Sequence, residues 1–295
     1  MQAKLDCVTC FQEQALRAAR AAGAPVDQQE EVLRKAIRTV ADADWRATPI
    51  DLGMPVHRIV REVTGVDDPF ADAKREATAA ALSALDDLRA RVAQADDPLR
   101  MAIRISVAGN IIDLGALESF DFEETLARVS TADFAVDHYD ALQSALEDAQ
   151  SLLFFADNAG EIVFDRLLLE TIEQHWGPEI TLVVKSGPFI NDATVEDARA
   201  SGLDQLEHLD MREVSNGDDD EAPAYASDEI DRWVAEHDVV IAKGQANYEA
   251  LSERVDVFFL LMAKCPCVAD VIGVNVGDFV LCHSDDKPRK PPAAT

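Results

Sequence analysis

Apolar positions recur at three- and four-residue spacing through most of the first hundred residues. Asp6 to Ala22, Gln28 to Ala43, Val56 to Val63 and Phe70 to Ala95 carry this pattern and are rich in Ala, Arg and Glu. The spacing predicts amphipathic helices separated by short Pro or Gly breaks. A break at Asp96-Asp97-Pro98 precedes one more helical stretch through Met101, Ile103, Ile105 and Val107, ending at Gly109.

From Ser151 the period changes. Leu152 to Phe155, Ile180 to Val184, Val239 to Ile241 and Val257 to Leu261 are short continuous apolar runs. Such runs are expected of strands buried on both faces of a parallel sheet. Helical stretches at Phe164 to His175 and Asp192 to Ser201 separate some of them. The alternation predicts an α/β fold, a three-layer α/β/α doubly wound sheet with an N-terminal helical subdomain. The expected organisation is a helical subdomain over 1–98, an α/β domain over 99–286 and a flexible tail over 287–295. Ser215 to Pro223, with Asn-Gly and three successive Asp, reads as a solvated loop.

The charge narrows the function. There are 27 Lys and Arg against 56 Asp and Glu, a net charge of −29. A field of that sign repels nucleic acid and anionic membranes, so neither is expected as a partner. Eight Lys against 19 Arg and 35 Asp against 21 Glu, spread along the whole chain, resemble the composition of proteins from salt-loving archaea. No apolar run approaches the roughly 20 residues a spanning helix needs. With no secretory leader at its start, the chain reads as soluble and cytoplasmic.

The five cysteines do not suggest a disulfide framework. Cys7-x-x-Cys10 lies at the start of a helix, where thiol pKa is lowered, and Cys265-Pro-Cys267 follows a strand. The two pairs are candidates for a second metal or for redox chemistry, against reduced thiols packed as small hydrophobes. The six histidines show no ligand spacing.

Three strand ends gather the polar chemistry. After the run ending at Phe155 comes Asp157-Asn158-Ala159-Gly160-Glu161, and after Val184-Lys185 comes Asn191-Asp192-Ala193-Thr194. Carboxylate and amide oxygens suit Mg²⁺ or Mn²⁺, and open α/β sheets place ligands at the carboxyl ends of their strands. Asp157, Asn158 and Asp192 also suit helix caps, and the spacing leaves both readings open. The third strand end, Lys243-Gly244-Gln245-Ala246-Asn247-Tyr248-Glu249, offers a cation, a glycine and amides, which suit a phosphate. Lys is scarce here, so Lys185 and Lys243 read as crevice residues rather than surface. A strand-end Asp is also the nucleophile of haloacid-dehalogenase phosphatases, but those need a second Asp where this chain has Ala159.

Taken with Cys7-Val8-Thr9-Cys10 and Gly109-Asn110-Ile111-Ile112-Asp113, these motifs resemble, in order and over Lys4 to Cys282, the damage-control phosphatase family, formerly the DUF89 proteins, in its mainly prokaryotic Cys-containing branch. The resemblance implies a divalent metal, Mn, Co, Ni or Mg, held by Asp157, Asn158 and Asp192. It also implies hydrolysis of small phosphorylated metabolites such as sugar phosphates. On that footing Asn110, Lys185, Lys243 and Asn247 are expected at the phosphate, and Glu161 beside the metal, orienting its water or a ligand. An S-adenosylmethionine-dependent carboxyl methyltransferase and a non-enzymatic metal or thiol binding protein are the alternatives. Oligomeric state is left open.

Overall fold

The computed structural model describes residues 1–109, 133–218 and 221–286. Asn110 and the tail at 287–295, both named above, lie outside the described residues.

Five helices open the chain: α1 (Leu5–Ala21), α2 (Val26–Asp42), α3 (Pro49–Thr64), α4 (Ala71–Gln94) and α5 (Pro98–Gly109). Their ends follow local chemistry. Thr48 caps α3 by accepting from the Asp51 backbone N–H, Pro49 occupies the first turn, and Gly65 stops the helix in the left-handed region at φ 69°.

The second part alternates strands and helices. It runs β1 (Phe134–Asp137), α6 (Tyr139–Glu147), β2 (Ser151–Phe155), α7 (Ile162–His175), β3 (Glu179–Lys185), α8 (Val195–Ala200), β4 (Leu209–Val214) and α9 (Asp228–Glu236). Then follow β5 (Val239–Lys243), α10 (Gly244–Leu251), β6 (Phe258–Met262), α11 (Pro266–Ile272) and β7 (Phe279–His283).

These strands form one sheet in the order β1-β7-β6-β5-β2-β3-β4. β5, β2, β3 and β4 are mutually parallel and β6 is parallel to β5, whereas β7 runs antiparallel to β6. The apolar runs locate the central strands because those are covered on both sides. Leu152 and Phe154 point to one face with α4, α5 and α7; Leu153 and Phe155 point to the other with α1, α2, α3, α9, α10 and α11. The sheet is thus the middle of three layers, as the pattern predicts. The early helices divide between the two outer layers, α4 and α5 packing on α7 and α1 to α3 on one another.

β1 and β4 were not signalled by an apolar run, and the sheet order explains why. They are its two edges, and β4 (Leu-Asp-Met-Arg-Glu-Val) alternates with only Val214 fully buried. An edge strand shields less surface, so its sequence needs no continuous apolar stretch. Among the described residues no helix is long and apolar enough to cross a membrane.

β2 and β5 lie side by side, yet the chain leaves β2 toward β3 and returns on the other flank to make β5. The connections diverge there, which opens a crevice at the carboxyl ends of these two strands. Asp157 follows one of them and Lys243 ends the other.

Candidate metal centre

The loop after β2 and the loop after β3 are zipped together. Asn158 and Asp192 form an antiparallel bridge. The Ala159 N–H donates to the Asn191 carbonyl at 2.9 Å, and the Ala193 N–H donates to the Asp157 carbonyl at 2.8 Å. Asp157 and Asn158 are thereby held at one spot with Asp192, 35 and 34 residues further along the chain, each at least nine-tenths buried.

None of the three caps a helix. Glu161 occupies the cap position of α7 and makes no side-chain cap bond. Thr194 caps α8, with Asp197 closing a capping box. Local helix chemistry therefore leaves these three side chains without a structural duty of that kind.

Glycine lets the third strand end come close. Gly244, at φ 75°, opens α10, and a Cβ placed there would lie 1.9 Å from Asp157 Oδ2. Any side chain at 244 would collide with the carboxylate, so this position serves both a left-handed backbone and a contact that only glycine permits.

Beneath the acids lies a buried ion cluster. The Asn158 amide donates to Asp157 Oδ2 at 2.8 Å and to Glu161 Oε2 at 3.0 Å, which leaves its carbonyl oxygen as the atom able to ligate a cation. Lys243 Nζ donates to Glu161 Oε1 at 2.6 Å, to Asp165, and to the Ser106 carbonyl at 3.3 Å. Ser106 Oγ donates to the same Asp165 oxygen at 2.6 Å. Lys243 thus departs from the phosphate-facing place expected of it: it is 0% exposed, and its three protons are committed to Glu161, Asp165 and a carbonyl.

Asn247 is engaged in the same way. Its amide donates to the Ala156 carbonyl at 2.9 Å and the Lys243 carbonyl at 2.8 Å, and its Oδ1 accepts from Tyr225 Oη at 2.6 Å. It clamps the end of β2 to the start of α10. Lys185 stands beside the acids with its ammonium 3.6 Å from Asp192 and 2.9 Å from Tyr225 Oη. Its Nζ also lies 4.2 Å from the Tyr225 ring centroid.

The electrostatics follow from this crowding. Asp157, Glu161, Asp165 and Asp192 share the volume with Lys185 and Lys243, so full ionisation leaves two negative charges in excess. Burial, then Glu161 and Asp192, hold the Asp157 carboxyl well above the usual carboxylate range. Burial pushes Asp192 up to about 6 against the opposing pull of Lys185 and Lys74. Asp165 rises to about 6 for the same first reason. Burial lowers the Lys185 pKa, and Asp192 and Asp157 oppose the shift. For Lys243 burial also works against charge, but Asp165 and Glu161 outweigh it and its pKa is raised. Carboxylates gathered at such cost are a mark of a functional site.

The donor set suits a hard divalent cation. Two carboxylates and an amide oxygen, with an excess of two negative charges and no sulfur or imidazole among them, match Mg²⁺ or Mn²⁺ chemistry rather than zinc. A separate trio, Asp256, His283 and Asp285, brings its ligand atoms within 4.8 Å of one another. It sits at the opposite end of the strands, and the Asp256 side chain is 81% exposed, which suits a solvated pair on a highly acidic surface.

Asp165, Ser106 and Tyr225 were not expected in the site. Asp165 carried a signal: it falls one turn after Glu161, on the same face of an otherwise apolar helix start. Tyr225 carried none, since it arrives from the loop before α9 by tertiary packing alone.

A family model described as the damage-control phosphatase ARMT1-like domain matches residues 3–280. A damage-control phosphatase of Archaeoglobus fulgidus is 35% identical over 252 residues, covering 80% of this chain and 84% of that protein. A damage-control phosphatase of Pyrococcus horikoshii is 30% identical over 293 residues, covering 97% and 100%. An uncharacterised protein of Methanocaldococcus jannaschii is 32% identical over 94% of both chains. Among solved structures, a DUF89 family protein of P. horikoshii superposes with a TM-score of 0.85 at 29% identity, covering 96% of this chain and 99% of that one.

Proposed function

The chain belongs to the damage-control phosphatase ARMT1-like domain family, and from that premise we propose that it hydrolyses small phosphomonoesters at a divalent cation held by Asp157, Asn158 and Asp192. The observation that carries the reading is the Asn158–Asp192 bridge, which joins two acid-bearing loops at the divergence of β2 and β5. We further assign the cation to the set Mn, Co, Ni or Mg, and the substrate to sugar phosphates or damaged phosphometabolites.

A cation bound there supplies Lewis-acid polarisation of a phosphoryl oxygen and an acidified water. The protein's own groups prepare that chemistry. Glu161 and the Asn158 amide fix each other, so the Asn158 carbonyl oxygen and the Asp157 carboxylate keep their aim. Lys243 holds Glu161 and Asp165 from below and so acts as a positioning residue. Lys185 meets the phosphate charge, with Tyr225 Oη bridging it to Asn247 and restricting its swing. The phosphate role expected of Lys243 and Asn247 passes in this reading to Lys185. Asn110 lies outside the described residues and keeps only its sequence-based expectation. The strongly acidic surface supports a cytoplasm of high salt as the working environment.

The test is phosphate release from a panel of sugar phosphates and an aryl phosphate by chelator-stripped protein, before and after Mn²⁺, Co²⁺, Ni²⁺ or Mg²⁺ is restored. Release that depends on the cation and falls at least tenfold in Lys185→Ala supports the assignment. Folded, cation-loaded protein that releases no phosphate from any member of the panel overturns it.

A further inference from the structure

The chain carries two cysteine pairs that the oxygen site does not use. Cys7 and Cys10 sit in the first two turns of α1; Cys265 and Cys267 flank Pro266 at the start of α11. Although about 260 residues separate them, all four line a single cavity of about 380 Å³ between the helical layer and the loops of the α/β part. Cys7 Sγ and Cys267 Sγ stand 4.0 Å apart. Two thiolates on one tetrahedral cation, at metal–sulfur distances of about 2.3 Å, lie about 3.8 Å apart, so this pair already has the separation of one edge.

Three of the sulfurs also accept N–H groups. The Lys4 backbone N–H donates to Cys7 at 3.4 Å, Gln14 Nε2 to Cys10 at 3.2 Å and Gln245 Nε2 to Cys265 at 3.6 Å. Donors of this kind stabilise charge on ligating sulfur and fix its direction. Gln245 is itself held, its Oε1 accepting from the backbone N–H groups of Lys264 and Cys265.

We propose that Cys7, Cys10, Cys265 and Cys267 form a second metal site, a thiolate site for a borderline divalent cation of the zinc type, separate from the oxygen centre. Each ligating thiol gives its proton to solvent as its sulfur binds the cation, and no electrons are transferred. No three of the four sulfurs lie within 4.8 Å of one another among the described residues. The exposed Cys10 and the half-buried Cys265 therefore close on the Cys7–Cys267 edge by side-chain rotation when the cation enters. In the metal-free protein, burial pushes the Cys267 thiol up to about 12, and Cys7 and Cys265 push the same way.

Such a site would staple α1 to α11. It would also restrain Gln245, the neighbour of Gly244, against which Asp157 rests. The proposal does not depend on the phosphatase reading, because it concerns different ligands, a different class of cation and a different readout.

The experiment uses the full-length chain, reduced and chelator-stripped, with excess Mg²⁺ present to occupy the oxygen site. Co²⁺ is then titrated while the near-ultraviolet thiolate-to-cobalt absorption is followed. The expected result is a band that saturates at one cobalt per chain, is displaced by Zn²⁺, weakens at least tenfold in apparent affinity in Cys10→Ser and in Cys265→Ser, and persists in Asp157→Asn. Cys10 is exposed, so Cys10→Ser tests the site without threatening the fold. Absence of a sulfur band, a band unchanged in Cys10→Ser and Cys265→Ser, or loss of two thiols to a Cys7–Cys267 disulfide in place of cobalt uptake overturns the proposal.

Discussion

Gly244→Ala perturbs the centre through a single methyl group. At φ 75° the added Cβ lies 1.9 Å from Asp157 Oδ2 and 2.1 Å from its Cγ, whereas real Cβ contacts do not fall below 3.0 Å. The carboxylate must therefore retreat by at least 1.1 Å, unless α10 moves instead. The left-handed backbone costs about 1–2 kcal/mol with any Cβ present. The retreat matters more for function, since hard divalent cations hold their oxygens within a few tenths of an ångström of a fixed distance. A ligand displaced that far is lost or reoriented, and the expected cost is about 10- to 100-fold in cation affinity, comparable to removing a residue that orients a ligand. The assay is calorimetric titration of chelator-stripped wild type and variant with Mn²⁺, paired with thermal unfolding in the absence of metal. A variant with a lower Tm but unchanged Mn²⁺ affinity would refute the reasoning, because the clash would then be absorbed away from Asp157.

Lys243→Met removes the charge that holds Glu161 and Asp165, and breaking one partner out of a buried ion cluster costs about 3–5 kcal/mol. Denaturant unfolding should show that loss, and in the folded fraction kcat should fall while KM for the phosphoester stays within about threefold; a raised KM at full stability would return Lys243 to the phosphate. The acids set the pH dependence. Asp192 and Asp165 sit at about 6, above the ordinary carboxylate value, so the folded, metal-free protein binds protons that the unfolded chain releases. Stability of the stripped protein is then highest below the unfolded value near 4 and declines as pH rises through about 6, by as much as about 3 kcal/mol for each group. Cation affinity runs the opposite way, rising with pH as Asp192 and Asp157 lose protons, and an affinity flat between pH 5 and pH 8 by titration would contradict the ligand assignment. Finally, a net charge of −29 should make the melting temperature climb between about 0.1 M and 2 M KCl as the Debye length contracts from about 10 Å toward 3 Å, and indifference to salt would remove the halophilic reading.

What could be read in advance depended on how local each signal was. Leu152 to Phe155 announces a central strand because both faces of β2 are covered, and Asp157-Asn158 directly follows, so fold and site were legible together. β1 and β4 were not, since edge strands need no continuous apolar run. The choice between cap and ligand for Asp192 was undecidable from spacing; it took the Thr194–Asp197 capping box to show that the helix start is served by other residues. Lys243 illustrates the opposite limit. A lysine at a strand end beside a glycine suits an anion, and only the three-dimensional proximity of Glu161, Asp165 and the Ser106 carbonyl shows where its protons go. Tyr225 has no local pattern at all, yet it joins Lys185 to Asn247.

The central claim, that Asp157, Asn158 and Asp192 hold the cation on which phosphate release depends, is tested most directly by Asp192→Asn. This change keeps the shape of the side chain and removes one charge from a site with two in excess. Mn²⁺ affinity and phosphate release should be measured on the same stripped preparation, with circular dichroism to confirm the fold. The account predicts a folded variant whose Mn²⁺ affinity and turnover both fall by at least tenfold; a folded variant that binds Mn²⁺ and releases phosphate as the wild type does would contradict it.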